Sequence, residues 1–417
     1  MKKQILLATA AVLVSGSVFA TKARMQALGQ DTDGSWIMND TRNVFYNAAD
    51  LNGMKDYVVL ETGAASNSAD GETAPHAEGG FFKSMGDMTY GVYFGRDADL
   101  NTVRKNAGTG TATSTPAIYG ALGGAGVLNV ATGDAKMLGT GNNLDLFVAG
   151  DMGVEWGARL SYAKNKDEGA DLNSTFGETA AAGIDRKQSA LGLGLGAKMG
   201  DIEGYANLDL SDKSEGATVA NDKWEADLGL DLGVDYNMNG NTFRVRYQKN
   251  GFEYTNAGVL TSTGEDSTIV VGLGRMMEVS STSRWFYSAE YVTRKVELKA
   301  NVAATNSELK FTGIPLRVGF ESDATSWLTL RGSISQSVMG NYETTVTGST
   351  NNGKVYRNTN TANVNLGATL NFGKIMVDGV IGTDGETGST AALTNNNELG
   401  SLRLDRLMTR VAVHYWF

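Results

Sequence analysis

Between Trp224 and Tyr236 the chain alternates without a break. Trp224, Ala226, Leu228, Leu230, Leu232, Val234 and Tyr236 are apolar, and Glu225, Asp227, Gly229, Asp231, Gly233 and Asp235 lie between them. A repeat of two puts successive side chains on opposite faces of a strand. Such a strand has one oily face and one polar face. The pattern recurs in Val154, Trp156, Ala158, Leu160 and Tyr162, in Leu191, Leu193, Leu195 and Ala197, and in Val364, Leu366, Ala368, Leu370 and Phe372. The last residues repeat it, with Val411, Val413, Tyr415 and Phe417 at every second position.

The pattern predicts about sixteen antiparallel strands, within a range of 14–18, from a first near 57–62 to a last at 402–417. Their connections alternate in length. Short turns are expected at Met85–Asp87, Asp151–Met152, Gly200, Asn237–Gly240, Ser280–Thr282, Asp323–Ala324 and Gly373–Lys374. Long polar loops are expected at 63–78, 97–142, 165–187, 213–223, 255–266, 300–308, 339–360 and 384–401. A sandwich or propeller has no reason to keep its short turns at one end.

The opening residues carry a different signal. Lys2 and Lys3 precede an apolar run from Ile5 to Val14, and Val18 and Ala20 sit where a signal peptidase reads small residues. That is the grammar of a secretory leader, with cleavage expected after Ala20. No later stretch reaches the ~18 unbroken apolar residues of a spanning helix. Cysteine is absent, so no disulfide framework is available. The formal net charge is −10, and losing Lys2 and Lys3 makes the mature chain more negative still. An acidic chain is a poor match for nucleic acid, which is excluded as a partner.

Leader, alternating strands and a terminal aromatic strand ending on Phe417 together resemble the bacterial outer-membrane β-barrels. The resemblance implies an all-β fold: a transmembrane antiparallel β-barrel with short periplasmic turns and long external loops. The expected divisions are 1–20, the leader; 21–56, a periplasmic or lumenal segment; and 57–417, the barrel. The resemblance implies a porin: a water-filled channel for passive diffusion of small hydrophilic solutes and ions, without cofactor or metal, often trimeric. It implies contact with outer-membrane lipid, and reading of the last strand (Val411, Val413, Tyr415, Phe417) by the barrel-assembly machinery. The segment 21–56 breaks the strand rhythm. Its stretch around Asn47, Ala48 and Ala49 resembles the N-terminal hatch of the long-chain fatty-acid transporter family, with alanine where that family has proline. The resemblance implies an alternative, a plugged transporter for hydrophobic substrates. A structural or adhesive barrel is a third reading.

A barrel of about sixteen strands is too wide for side chains to fill. Its polar face should therefore line water. The residues expected there are Glu225, Asp227, Asp231 and Asp235 as an acidic wall, Arg244 and Arg246 beside it, and Arg317, Arg331 and Arg410 farther round. The loop 97–142 contains the small apolar run 118–130 and is expected to narrow the pore. Aromatics near strand ends, including Trp156, Tyr162, Trp224, Tyr236, Trp285, Tyr287 and Tyr415, are expected to form interfacial girdles. No catalytic site is expected. The two histidines, His76 in a predicted loop and His414 in the last strand, should stand about 25 Å apart across the membrane.

Overall fold

The computed structural model describes residues 21–64, 76–96, 143–168, 185–216, 222–256, 258–300, 306–346, 353–356, 362–383 and 407–417. Eighteen strand segments form one antiparallel sheet: β1 (Tyr57–Ala64), β2 (His76–Met85), β3 (Met88–Arg96), β4 (Asn143–Asp151), β5 (Glu155–Glu168), β6 (Asp185–Met199), β7 (Ile202–Gly216), β8 (Asp222–Ala226), β9 (Gly229–Met238), β10 (Asn241–Asn256), β11 (Val259–Ser280), β12 (Ser283–Ala300), β13 (Ser307–Thr325), β14 (Leu328–Val346), β15 (Gly353–Tyr356), β16 (Ala362–Asn371), β17 (Ile375–Thr383) and β18 (Leu407–Trp416). The segments β8 and β9 both lie between β7 and β10, stacked end to end. The segments β15 and β16 both pair with β14 in the same way. The wall therefore holds sixteen strands, as the alternation predicted. It closes where β1 pairs with β18, from Tyr57 opposite Trp416 to Ala64 opposite Thr409.

Closure follows from the solvent. Hydrocarbon offers peptide groups no partners, so a spanning sheet cannot keep a free edge. The outer face is apolar: Leu60, Phe94, Val245, Val271, Ile334 and Leu366 are each between 45% and 62% exposed. The lumen side holds Arg24, Arg42, Arg96, Arg331, Asp145 and Asp378, none more than 2% exposed. This inverts the layout of a water-soluble protein. Seven short connections gather at one end, the periplasmic end by the rule for such barrels. Tyr162, Tyr236, Trp285 and Tyr415 face outward. Trp224 does not: it is buried and stacks on Phe252, 5.9 Å between ring centres.

The strands are unequal. β1 to β4 and β16 to β18 have 8–10 residues, near the 9–11 that cross a bilayer. β11 has 22, β12 has 18, and β13 and β14 have 19. One arc therefore rises well above the membrane. The loop expected at 255–266 is replaced there by the top of the β10–β11 hairpin, whose strands pair up to Asn256 opposite Val259. Polar residues read as loop because a strand standing in water on both sides needs no oily face. The 97–142 segment lies outside the described residues, and so does the expected constriction.

Candidate functional site

The lumen is occupied. Residues from Thr21 onward form helix α1 (Lys22–Ala27) and two 3-10 turns, Thr41–Phe45 and Ala48–Gly53. Each begins at a polar cap. The Thr21, Asp40 and Asn47 side chains accept the N–H groups of Arg24, Arg42 and Ala49, as helix starts require. This segment is a plug, and the wall completes it. Arg159 Nη1 donates to Phe45 O at 2.8 Å, Asn207 Nδ2 to Tyr46 O at 2.9 Å, and Ser333 Oγ to Ala27 O at 2.9 Å. Irregular backbone packed against a barrel wall needs such partners, because its polar groups must be paired wherever they are buried.

Two apolar contacts seat the plug. Val44, Phe45, Leu51 and Met54 pack with Tyr57, Val59, Phe82, Tyr93 and Phe147 of β1 to β4. Met25, Leu28, Ile37 and Met38 pack on Phe286 of β12. Wall glycines make room. Gly157 and Gly196 face each other across β5 and β6, and a Cβ at either would strike Asn47, Ala48 or Ala49.

Buried charge fixes its orientation. Arg42 donates to Glu78 and to the Tyr93 hydroxyl, each at 2.8 Å, to Asp33 at 2.9 Å and to Thr32 O at 2.8 Å. Glu61 lies 3.7 Å from the same guanidinium. Arg24 bridges Asp40 at 2.8 Å and Glu321 of β13 at 2.7 Å. The Thr21 hydroxyl donates to Asp378 at 3.1 Å, and Lys198 pairs with Asp50. Burial works against the charge of Asp33, but Arg96 and Arg42 overrule it and bring its carboxyl down to about 2.

Above the plug lies a chamber of about 510 Å³. Its floor is Phe45 and Tyr46; Leu230, Val292 and Phe311 supply apolar wall, and Arg96, Arg159, Arg246 and Arg294 alternate with Asp31, Asp33, Asp209, Asp231 and Asp266. A smaller polar cavity of about 90 Å³ lies on the periplasmic side, bounded by Asn43, Asn47, Asp50, Glu203, Asp235 and Arg244 among others.

The expected acidic wall is corrected here. Asp231 and Asp235 face the lumen but are paired, with Arg246 at 2.7 Å and Arg244 at 3.1 Å. Glu225 takes the outer side, between the exposed Lys213 and Lys223 at 3.0 and 2.8 Å. Asp227 is exposed in the gap between β8 and β9. The physical reason is a flip of parity. β10 pairs Ala226 with Phe252 but Leu230 with Lys249, so one residue is slipped between them. A slip of one sends every side chain to the opposite face. Arg317 is in the lumen, bound to Glu290, and Arg331 is buried against Glu321 and Asp378. Arg410 stands in β18 opposite Gly63 and Val380, and its side chain is outside the described residues. Val411, Val413, Tyr415 and Phe417 are 39–47% exposed on the outer face.

The histidines also move. His76 opens β2 opposite Gly63, and His414 pairs with Val59. They flank β1 four residues apart, roughly 13 Å along the strand rather than a membrane's height. His414 is buried, its ring 6.2 Å from that of Tyr57. Among the described residues no group of three or more His, Cys, Asp or Glu side chains could hold a metal ion.

A closed barrel with this apolar belt belongs in the bacterial outer membrane. No family model matches the chain, and no curated protein matches it in sequence. Among solved structures it is similar to the toluene transporter TbuX of Ralstonia pickettii, at 13% identity and a TM-score of 0.35, covering 94% of this chain and 97% of that one. A FadL homologue of Pseudomonas aeruginosa gives 11% identity and a TM-score of 0.40, covering 95% and 98%. CdiB from Escherichia coli gives 10% identity and a TM-score of 0.41, covering 86% of this chain and 63% of that one. TM-scores below 0.5 carry no inference about function, which has to come from the lumen itself.

Proposed function

We propose that this chain is a plugged outer-membrane transporter that receives small molecules with an apolar body, not an open porin for hydrophilic solutes. One observation supports this reading: the lumen that a porin would leave open to water is crossed by residues 21–56, which are locked to the wall by buried ion pairs. The chamber volume falls within the range of ligand pockets for small molecules. Its aromatic floor suits an apolar body, and its arginines and aspartates suit a polar group at one end.

The wall beside the chamber offers a way out. Between Ala226 and Gly229 the strand is interrupted, and the rungs of β7 between Asp209 and Lys213 are lost. β7 carries a bulge at the same height, between its pairings of Ser211 and Asp209 with β6. Asp209, Gly229, Leu230 and Asn250 border both chamber and gap. Leu210 and Leu228 stand on the outside, 44% and 56% exposed. β9 rises ten residues from its periplasmic turn to the gap, which is about the depth of the hydrocarbon. A solute leaving there enters the outer leaflet.

The test pairs two measurements on the purified full-length barrel. Planar bilayers should show no stable ohmic current. A fluorescent alkyl amphiphile should bind saturably, and Phe311→Asp should weaken it. A steady wild-type conductance with swelling of liposomes in small sugars would return the porin reading.

A further inference from the structure

Tyr46 stands where the two cavities approach each other. It lines both the outer chamber and the periplasmic cavity, and among the described residues no other is common to the two walls. Its ring is clamped from the wall. The Arg244 and Arg246 guanidiniums lie 5.1 and 4.9 Å from its centre, and the Tyr205 ring lies 5.8 Å away. Its hydroxyl donates to Asp31 at 2.8 Å and accepts from Arg246 at 3.3 Å. Its backbone is held separately, through the bond from Asn207 to its carbonyl. The contacts that hold the ring are thus distinct from the bond that holds its backbone.

We infer that Tyr46 is the gate of a second, axial route through the plugged barrel, open to water and small ions rather than to the apolar solute. The route runs from the outer chamber past Tyr46 into a cavity where Asn43, Asn47, Asp50 and Asp235 stand beside Trp36 and Met38, and then to the periplasmic turns near Asn237 and Glu203. Hydration of that kind suits ions and repels an alkyl body. What holds the ring is its own set of contacts, the cation–π pair and the hydroxyl bonds to Asp31 and Arg246, separate from the buried ion pairs of Arg24 and Arg42 with the wall that seat the plug. Turning the ring breaks the first set and leaves the second intact. The inference rests on the plugged reading above.

Full-length wild-type, Tyr46→Ala and Tyr46→Phe barrels would be compared in planar bilayers and in sugar-loaded liposomes, after heat-modifiable migration has shown each to be folded. Tyr46→Ala should pass a steady small-ion current where the wild type passes none, without admitting a disaccharide. Tyr46→Phe keeps the ring but loses both hydroxyl bonds, and should flicker open. The chain has no cysteine, so Tyr46→Cys gives a further readout: a bulky charged thiol reagent should close the current again. A silent wild type with silent Ala and Cys variants sinks the gate and spares the plugged reading. Disaccharide entry through Tyr46→Ala also sinks it, since Tyr46 would then be seating the plug. A wild type already conducting as an open pore sinks both.

Discussion

Two sets of ion pairs in this molecule, one of arginines in the lumen and one of lysines on the tall arc, do opposite things. Around the plug, Arg24, Arg42, Asp40, Glu78 and Glu321 are almost wholly buried. On the tall arc, Lys295, Lys299 and Lys310 pair with Glu297 and Glu308 along β12 and β13, with Lys295 and Glu308 pairing across them, while the lysines stay 42–65% exposed. In water such a pair gains little, because solvent screens it and two long side chains must be ordered. In the lumen the charges have already lost their water, so removing one partner strands the other. The difference teaches where specificity is stored: the exposed ladder keeps a strand soluble, and the buried set selects one position for the plug.

The sharpest way to break the comparison is Arg42→Met. It takes from Glu78, Glu61 and Asp33 the cation they share; Glu78 keeps Lys22 at 2.6 Å and Asp33 keeps Arg96 at 3.7 Å, while Glu61 loses its one side-chain ion pair among the described residues. Stranding a buried carboxylate costs about 3–5 kcal/mol, enough to unseat the plug while the wall stays closed. Trypsin should then cut at Lys22 or Arg24 in the folded variant and not in the wild type. Equal protection in both would show that packing alone holds the plug.

A second change attacks the seat without touching charge. Gly157→Leu fills the space taken by the Ala48 backbone. Overpacking of this kind costs about 1–3 kcal/mol, and here it falls on the contact between wall and plug. Protease access to residues 21–56 should rise, with unchanged migration of the folded barrel. If access does not change, the plug can slide within its socket.

These two positions also show what could be read from the letters. The strands were legible because lipid and water impose opposite demands on alternate side chains. The plug was legible only as a break in the strand rhythm at 21–56 with a hatch-like stretch around Asn47; its seating was not, because that is decided by partners far away in the chain: Arg24 meets Glu321 at a separation of 297 residues, and Thr21 meets Asp378 at 357. Gly192, Gly194 and Gly196 alternate with the leucines of β6, and only the fold shows that Asn47 and Ala48 of the plug fill the space at Gly196. The parity flip at 227–229 was hidden for another reason. Trp224 is apolar, so the alternation continues in the letters although the ring has turned inward to meet Phe252. An aromatic pair in the lumen cannot be told from one facing lipid without knowing its partner.

Acid sharpens the comparison by a smaller amount. Asp33 has its carboxyl held at about 2, below the unfolded value of 3.8. A depressed acid adds stability above its unfolded pKa and loses it as pH falls through the folded one. The plug should therefore loosen between about pH 4 and pH 2, by roughly 2 kcal/mol from this group. Asp33→Asn should flatten that part of a proteolysis-against-pH curve and leave neutral pH weaker than wild type. A curve of the same shape in both would assign the acid response to other carboxylates.

The least effect belongs to the exposed ladder, and its size is what gives the comparison meaning. Lys310→Ala removes a cation 2.7 Å from Glu308. Glu308 keeps Lys295 at 3.1 Å, so no carboxylate is stranded. Solvent also reaches both partners, and exposed pairs are worth less than ~1 kcal/mol. The barrel's thermal unfolding and the trypsin protection of its plug should both match wild type within error. A loss approaching that of Arg42→Met would mean that the tall hairpins close over the chamber and shield their charges. The distinction between buried lock and solvated ladder would then have to be redrawn.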